Sequence, residues 1–324
     1  MRKILSFVII FLVLLGTISC SKNVNKGAKT SNDQQEYITI ATGDTSGPYF
    51  TIGEALAKVY KKKLQYKTAI QSTDGSVENM KLLENHQVDL AFVMSDAASF
   101  ALLKNNKEQD GAPHGFKAIA GLYPNYVQIV TLGKNKIKSV SDLKGKRIGV
   151  GAPNSGVEAN ARIILKEYGI TYNDIEPEYL SYEEAMEQLK DNHIDAAFVT
   201  SGLPNNAVLR LQKSEKVMIV PMQTSDINHL TKKFPFFERS EIPAGIYQNT
   251  HPIPTVAIRN ILLVRSDLSE DQVYKMTKTF FDNLNVLQNA HQAANSINRE
   301  DAGKGLVIPL HSGAKKYFKE INDK

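Results

Sequence analysis

The chain has 324 residues, long enough for two domains with separate cores. Its 42% hydrophobic and 23% charged residues exclude a disordered chain and a multi-span membrane protein. A formal net charge of +5 is too weak to argue for a nucleic-acid partner.

The first predicted element is a leader. Met-Arg-Lys at 1–3 is a positive start, and residues 4–18 are an uncharged apolar run. The pattern is that of an export signal over 1–19; a transmembrane anchor is normally longer. Thr17, Ile18 and Ser19 lead into Cys20, the one cysteine of the chain. An exported protein with a single thiol has no internal disulfide. A bacterial lipoprotein cleavage site explains that cysteine, with Cys20 as the lipidated first residue of the mature chain. A plain secretory signal with an incidental cysteine is the alternative. Residues 20–36 then read as the anchor and a flexible Ser/Lys/Asn/Gln tether.

A strand is predicted at 37–41, a loop at 42–47, and a helix that Pro48 opens. Ile52, Ala55, Leu56, Val59 and Tyr60 form its apolar face. A strand near 66–71, a loop at 73–76, a helix over 77–85 and a strand at 90–94 follow. This β-α-β-α-β order favours a parallel sheet with ligand-facing loops at the strand carboxyl ends. The stretch 117–132 reads as a long strand interrupted at Pro124, the first crossing between lobes.

A second lobe begins near 142–146, with a strand at 147–151. Val157, Ala161, Ile164, Leu165 and Tyr168 mark its first helix. Ser181 and Glu184 form a capping box, and a strand at 195–200 follows the helix it starts. Residues 221–255 read as irregular, and 255–264 as the return strand. Ser269 caps one long helix with Val273, Met276, Phe280, Phe281, Leu284 and Leu287 inward. A last helix near 313–321 packs back on the first lobe. Lobe one is thus 37–124 with 255–324, lobe two is 125–254, and two crossings act as a hinge.

The lobes repeat one another. Residues 83–95 (Leu-Glu-Asn-His-Gln-Val-Asp-Leu-Ala-Phe-Val-Met-Ser) match 189–201 (Leu-Lys-Asp-Asn-His-Ile-Asp-Ala-Ala-Phe-Val-Thr-Ser). Upstream of each lies a strand, a Ser/Gly loop and a helix, at 38–47 and 147–156. Two similar lobes make a cleft, and clefts between domains take small molecules. Gly43, Thr45, Ser46 and Gly47 precede one helix; Asn154, Ser155 and Gly156 precede the other. Free amides at a helix start can hold a carboxylate or phosphate. The same residues also serve as plain caps and turns. Thr73, Ser76 and Asn79 form a third candidate loop. Ser95-Asp96 and Thr200-Ser201 follow the repeated strands and are placed at a cleft, with capping of the next helices as the plain alternative; Tyr49, Tyr123 and Tyr247 are candidate pocket walls.

Enzyme motifs are missing. The seven histidines are scattered, with no His-Glu-x-x-His, and Gly43 to Gly47 has the wrong spacing for a nucleophile elbow. No phosphate-binding Gly-x-x-x-x-Gly-Lys-Ser/Thr is present. The expectation is a protein without catalytic residues, metal or cofactor.

With these residues laid out, the chain resembles the TAXI family, solute receptors of tripartite ATP-independent periplasmic (TRAP) transporters. The likeness rests on Ala-Thr-Gly-Asp-Thr-Ser-Gly-Pro-Tyr-Phe at 41–50, Gly-Ser-Val-Glu-Asn at 75–79 and Leu-Tyr-Pro at 122–124. It continues through Asp-Leu-Lys-Gly-Lys-Arg at 142–147, Gly-Ala-Pro-Asn-Ser-Gly at 151–156 and Asn-Ala-Arg at 160–162. Ile-Pro-Ala-Gly-Ile-Tyr at 242–247, Pro-Thr-Val at 254–256 and Ile-Pro-Leu-His-Ser-Gly-Ala at 308–314 complete it. The resemblance implies a two-lobed, type II periplasmic-binding-protein fold of parallel-rich α/β sheets, and no catalysis. It implies a small organic anion or amino acid as solute, glutamate-like compounds among them, and a TRAP permease as partner. Where the family often has acidic and His positions after Leu-Tyr-Pro, this chain has Asn125 and Gln128, so specificity is expected to differ. The expected protein is a monomeric receptor, lipid-anchored on the extracytoplasmic face of a bacterial membrane. A sensory binding lipoprotein and an exported enzyme on the same scaffold are the competing readings.

Overall fold

The computed structural model describes residues 36–105 and 115–323. The export signal, Cys20 and the tether up to residue 35 lie outside the described residues. The described domain begins with β1 (Tyr37–Ala41), α1 (Pro48–Lys63), β2 (Lys67–Gln71), α2 (Ser76–Glu84), β3 (Leu90–Met94) and α3 (Ser95–Asn105). β1 pairs in parallel with both β2 and β3. β4 (Phe116–Leu132) then runs the length of both lobes.

Lobe two adds β5 (Arg147–Gly149), α4 (Gly156–Glu167), β6 (Glu176–Glu178), α5 (Tyr182–Lys190), β7 (Ala196–Ser201), α6 (Asn206–Gln212) and β8 (Val217–Ile219). α7 (Thr224–Lys233) and β9 (Glu238–Ile242) follow, and β10 (Ile253–Arg265) returns to lobe one. α8 (Glu270–Asp282), α9 (Leu284–Ala290) and α10 (Ser312–Asn322) close the chain. The strands form one mixed sheet in the order β2-β1-β3-β10-β4-β7-β5-β6, with β8 beside β4 and β9 beside β10.

The repeat in sequence is a repeat in space. β5 lies in parallel between β6 and β7, as β1 lies between β2 and β3. The two halves share only β4 and β10, which pair antiparallel with Ala257 opposite Tyr126 and Arg265 opposite Phe116. Each half has its own apolar core. α1 buries Ile52, Leu56 and Tyr60 against Phe280, Phe281 and Tyr317 in lobe one. α4 buries Val157, Ala161, Ile164 and Leu165 against Ile148, Phe198 and Ile227 in lobe two. Burying each such side chain stabilises by about 1.5–3 kcal/mol, so each lobe has its own reason to fold.

Some expectations need correction. β4 is not interrupted at Pro124: that residue sits opposite Arg259, and a register shift between Arg259 and Ile261 absorbs the missing donor. Residues 221–255 are not irregular throughout, since α7 and β9 lie within them. The helix after Ser269 is two helices, α8 and α9, broken at Asn283. Asn283 turns its side-chain amide back to the Thr279 carbonyl, a local bond that competes with helix continuation.

Candidate functional site

A cavity of about 470 Å³ opens between the lobes. Four helices begin on its wall. α1 and α2 come from lobe one with Gly47, Pro48, Gly75 and Ser76; α4 and α5 come from lobe two with Ser155, Gly156, Ser181 and Tyr182. Each follows a strand end, so the sheet aims the helix starts at one point.

The four starts are not equivalent. The Ser155 hydroxyl already accepts from the Glu158 amide at 3.0 Å. The Ser181 hydroxyl accepts from the Glu184 amide at 3.3 Å, and the Glu184 carboxylate takes the Ser181 amide at 2.9 Å. α1 and α2 start at Gly47 and Gly75, where no side chain caps the helix. Pro48 brings no N–H, and the Glu78 amide already donates to the Asn154 carbonyl at 3.3 Å, so the remaining first-turn amides at 49–50 and 76–77 are the donors left for an acceptor in the cleft.

Acidic residues share the wall. Asp44, Asp74, Glu78 and Glu183 line it, and among the described residues no lysine or arginine does. Asp44 takes the Ser46 amide at 2.7 Å and the Ser46 hydroxyl at 2.6 Å on one oxygen. Its other oxygen reaches across the cleft to the Tyr182 amide at 2.9 Å. Glu78 holds the Asp74 amide at 2.7 Å. Burial, then the charges of Glu78 and Glu184, push the Asp74 carboxyl above its usual range. Glu183 pairs with Arg210.

The floor is polar and rigid. The Tyr49 hydroxyl donates to Asn260 Oδ1 at 2.5 Å; Asn260 Nδ2 donates to the Tyr123 carbonyl and to Asn125 Oδ1, each at 2.8 Å. Asn125 is on β4 and Asn260 on β10, so this network ties α1 to both crossing strands. Burial pushes the Tyr49 phenol far up, which keeps it a neutral donor. The Tyr182 hydroxyl donates to the Thr200 carbonyl at 2.7 Å, while the buried Thr200 hydroxyl has no partner among the described residues.

Of the residues singled out from sequence, Gly43, Thr45, Gly47, Tyr49, Thr73, Ser76, Ser155, Gly156 and Ser201 line the cavity. Ser46, Asn79, Ser95, Tyr123, Asn154 and Tyr247 do not. Ser46 spends its hydroxyl on Asp44. Asn79 fixes loops from beneath, donating to the Thr42 and Phe92 carbonyls at 2.7 and 2.8 Å and accepting from Thr73 at 2.7 Å. Ser95 opens α3 behind the wall, its carbonyl held by the Ser99 hydroxyl. Tyr123 is fully buried. Asn154 faces outward and accepts from Lys81 at 3.1 Å. Tyr247 is buried in lobe two, donating to Gln128 at 2.6 Å and accepting from the Asn205 amide at 2.8 Å.

Thr200, placed at the cleft from sequence, lines it too; Asp44, Asp74, Glu78, Asn125 and Tyr182 also form the wall, and the sequence alone does not mark them as ligand residues. Asn125 carried a signal as a departure from the TAXI pattern. Thr200 ends the repeated strand. Asp44 and Tyr182 meet only because the lobes meet.

A family model matches residues 40–321, nearly the whole described domain. The chain belongs to the NMT1-like family. Solved structures place the NMT1-like fold here among two-lobed periplasmic binding proteins. A protein from Prochlorococcus marinus, PhnD1 in complex with methylphosphonate, superposes with a TM-score of 0.53 at 11% identity, over 89% of this chain and 99% of that one. A binding-protein component of an ABC phosphonate transporter from Pseudomonas aeruginosa gives 0.50 at 13%, over 80% and 79%. A protein assigned as an L-cystine ABC transporter from Listeria monocytogenes gives 0.50 at 15%, over 79% and 94%. At these identities the likeness is one of fold. Among the described residues no group of His, Cys, Asp and Glu is placed to hold a metal ion, and no helix is long and apolar enough to cross a membrane.

Proposed function

We propose that this chain is an extracytoplasmic solute receptor of a transporter and that the inter-lobe cavity is its binding site. The carrying observation is the convergence of four helix starts from two lobes on one polar cavity. The hinge is where β4 passes Asn125 and β10 passes Thr255, dividing lobe one (37–124, 255–324) from lobe two (125–254).

The solute carries a carboxylate and an amino group. The uncapped starts of α1 and α2 donate hydrogen bonds to the carboxylate, which gains most from charged acceptance. Glu183 is paired with Arg210, but Asp44, Asp74 and Glu78 line the cavity where, among the described residues, no lysine or arginine does, and they favour an ammonium on the same molecule. A plain dianion would meet Asp44, Asp74 and Glu78 at close range with nothing to offset them. A glutamate-like amino acid therefore fits better than a simple dicarboxylate.

The TAXI-type motifs support delivery to a TRAP permease, with Cys20 as the lipid anchor at the membrane surface. An ABC-type permease is the alternative, favoured by the transporter class of two fold neighbours. Mass spectrometry of the small molecule released from denatured purified protein identifies the solute. Recovery of an amino acid supports the reading; a phosphonate, or a solute with no amino group, defeats the charge assignment. Uptake of that solute abolished by collapse of the ion gradient, with ATP intact, supports the TRAP partner. Loss of uptake on ATP depletion with the gradient intact supports the ABC partner. A Cys20→Ser form is expected to leave the membrane fraction.

A further inference from the structure

Behind the cavity, α3 of lobe one meets α4 of lobe two at Asp96 and Asn160, both fully buried. Asn160 Nδ2 donates to Asp96 Oδ2 at 3.0 Å and to the Gly156 carbonyl at 2.5 Å, which spends both of its hydrogens. Asp96 Oδ1 and Asn160 Oδ1 are also buried, and neither has a partner. Both are acceptors, and they flank the one bond that joins the two side chains. Buried acceptors left unpaired are costly. A single hydrogen on the carboxyl gives the buried pair the donor it lacks.

We propose that closure of the cleft takes up one proton from solvent, held on Asp96 and donated to Asn160 Oδ1. The proton sits between the lobes, so it exists as a satisfied site only when they meet. The inference rests on the lobe closure of the proposed function, and on nothing about which solute is bound.

The surroundings agree. Burial raises the Asp96 carboxyl to about 6, against the pull of its own and the Ala97 amides and of Asn160. The elements packed on α3 bring no competing charge. From α1, Tyr49 presents a neutral phenol. On α2, Lys81 is held by Asn154 and Glu78 by the Asp74 amide. On α4, Glu158 is engaged by Arg162 and Tyr172. On β10, Arg259 binds the Lys304 and Asp301 carbonyls, and Arg265 binds Asp89 and Asp267. The sign follows. The closed form binds more protons than the open one, so acid favours closure. The gain is complete below the ordinary aspartate range and is lost as pH rises through about 6. Moving from the ordinary 3.8 to about 6 corresponds to a roughly hundredfold change in the closed-to-open ratio, about fivefold of it between pH 6 and pH 5.

The test is small-angle scattering of the solute-free protein across pH 8 to 4, with carboxyl-carbon NMR of Asp96 in parallel. The wild type is expected to compact as pH falls, with the Asp96 resonance titrating near 6. Asp96→Asn, which carries the donor permanently, is expected to be compact and flat with pH. An Asp96 carboxyl that titrates in the ordinary range in the compact form overturns the proposal. So does an Asp96→Asn protein that keeps the wild-type pH profile. The two readings fail separately. If the solute-free protein compacts with pH and Asp96 titrates near 6 while no amino acid binds, the amino-acid assignment falls and the proton-linked closure stands.

Discussion

Asp44→Asn isolates the bond that spans the mouth of the cleft. In the closed form the Asp44 carboxylate takes the Tyr182 amide at 2.9 Å from the far lobe, and Ser46 from its own. An asparagine keeps the carbonyl oxygen for Ser46. It then turns a donor toward the Tyr182 amide, which is itself a donor. A hydrogen bond to a charged group contributes about 1.5–3 kcal/mol, and the anion also complements the start of α5. Solute affinity is expected to fall about tenfold to over a hundredfold. The lobes keep their stability, because α5 retains its own capping box from Ser181 and Glu184 and Asp44 lies outside both cores. Calorimetry with the solute recovered from the protein measures the loss, and thermal unfolding of the solute-free protein is the control. An affinity within about twofold of wild type, about 0.4 kcal/mol, would refute the view that this contact holds the closed form. A fall in both affinity and unfolding temperature would show instead a structural role within lobe one.

Three further outcomes are expected. Gly156→Ala places a methyl against the Met94 end group across the cleft and 3.2 Å from Ser76 Oγ. Met94 can swing away, so stability should hold while solute affinity falls by about tenfold in calorimetry, in the range of mild overpacking. Gly313→Ala drives a methyl into the α8 backbone at Glu270 and 2.5 Å from the Tyr274 amide; urea unfolding should show a loss of about 1–3 kcal/mol, because backbone cannot move aside as Met94 can. Asp195 is held below the usual carboxylate range, chiefly by Arg147, whose guanidinium meets it at 2.7 Å. Its folded-state pKa is lowered, so its stabilisation is present at neutral pH and lost as pH falls into the acid range. Asp195→Asn should therefore unfold at lower temperature than wild type at pH 7, with the gap narrowing toward pH 3.

The fold was legible where local pattern and tertiary role coincide. The repeated Asp-plus-strand segments at 83–95 and 189–201 are β3 and β7, and each Asp does the same work. Asp89 takes the Thr39 amide on the neighbouring strand at 2.8 Å, and Asp195 takes the Arg147 amide at 2.9 Å. That is why the pattern survives in both lobes. The Ser181 capping box is local and is found as read. Legibility failed where the deciding partner is distant in sequence. Pro124 reads as a strand break, but its position opposite Arg259 on β10 makes it tolerable. Asn154 reads as a ligand residue by analogy with the first loop, yet its left-handed backbone, φ 57°, and Lys81 turn it outward. Asp44 reads only as part of the first Ser/Gly loop, because its bonding partner lies at residue 182.

The cross-cleft contacts explain why this architecture suits capture. The hydrogen bonds that join the two walls among the described residues include Asp44 to the Tyr182 amide, the Asn206 amide to the Ser46 carbonyl, the Glu78 amide to the Asn154 carbonyl, Lys81 to Asn154 Oδ1, and Asn160 to Asp96. In an open form each of these groups is hydrated, so each bond contributes only about 0.5–1.5 kcal/mol net, or somewhat more where a charge is involved. Most apolar burial is within a lobe, but Met94 of lobe one joins the lobe-two core and Phe100 meets Phe236 at 5.4 Å. A ligand that engages both walls favours the closed form by its differential affinity for it. On the proposed reading the open α1 and α2 amides meet the solute from lobe one. In lobe two the Ser155, Ser181 and Ser201 hydroxyls are already engaged, so the solute's second end would meet the other wall groups there. A solute with one strong anionic end and a second polar end meets both demands; a solute with only one polar end would bind lobe one and leave the cleft open.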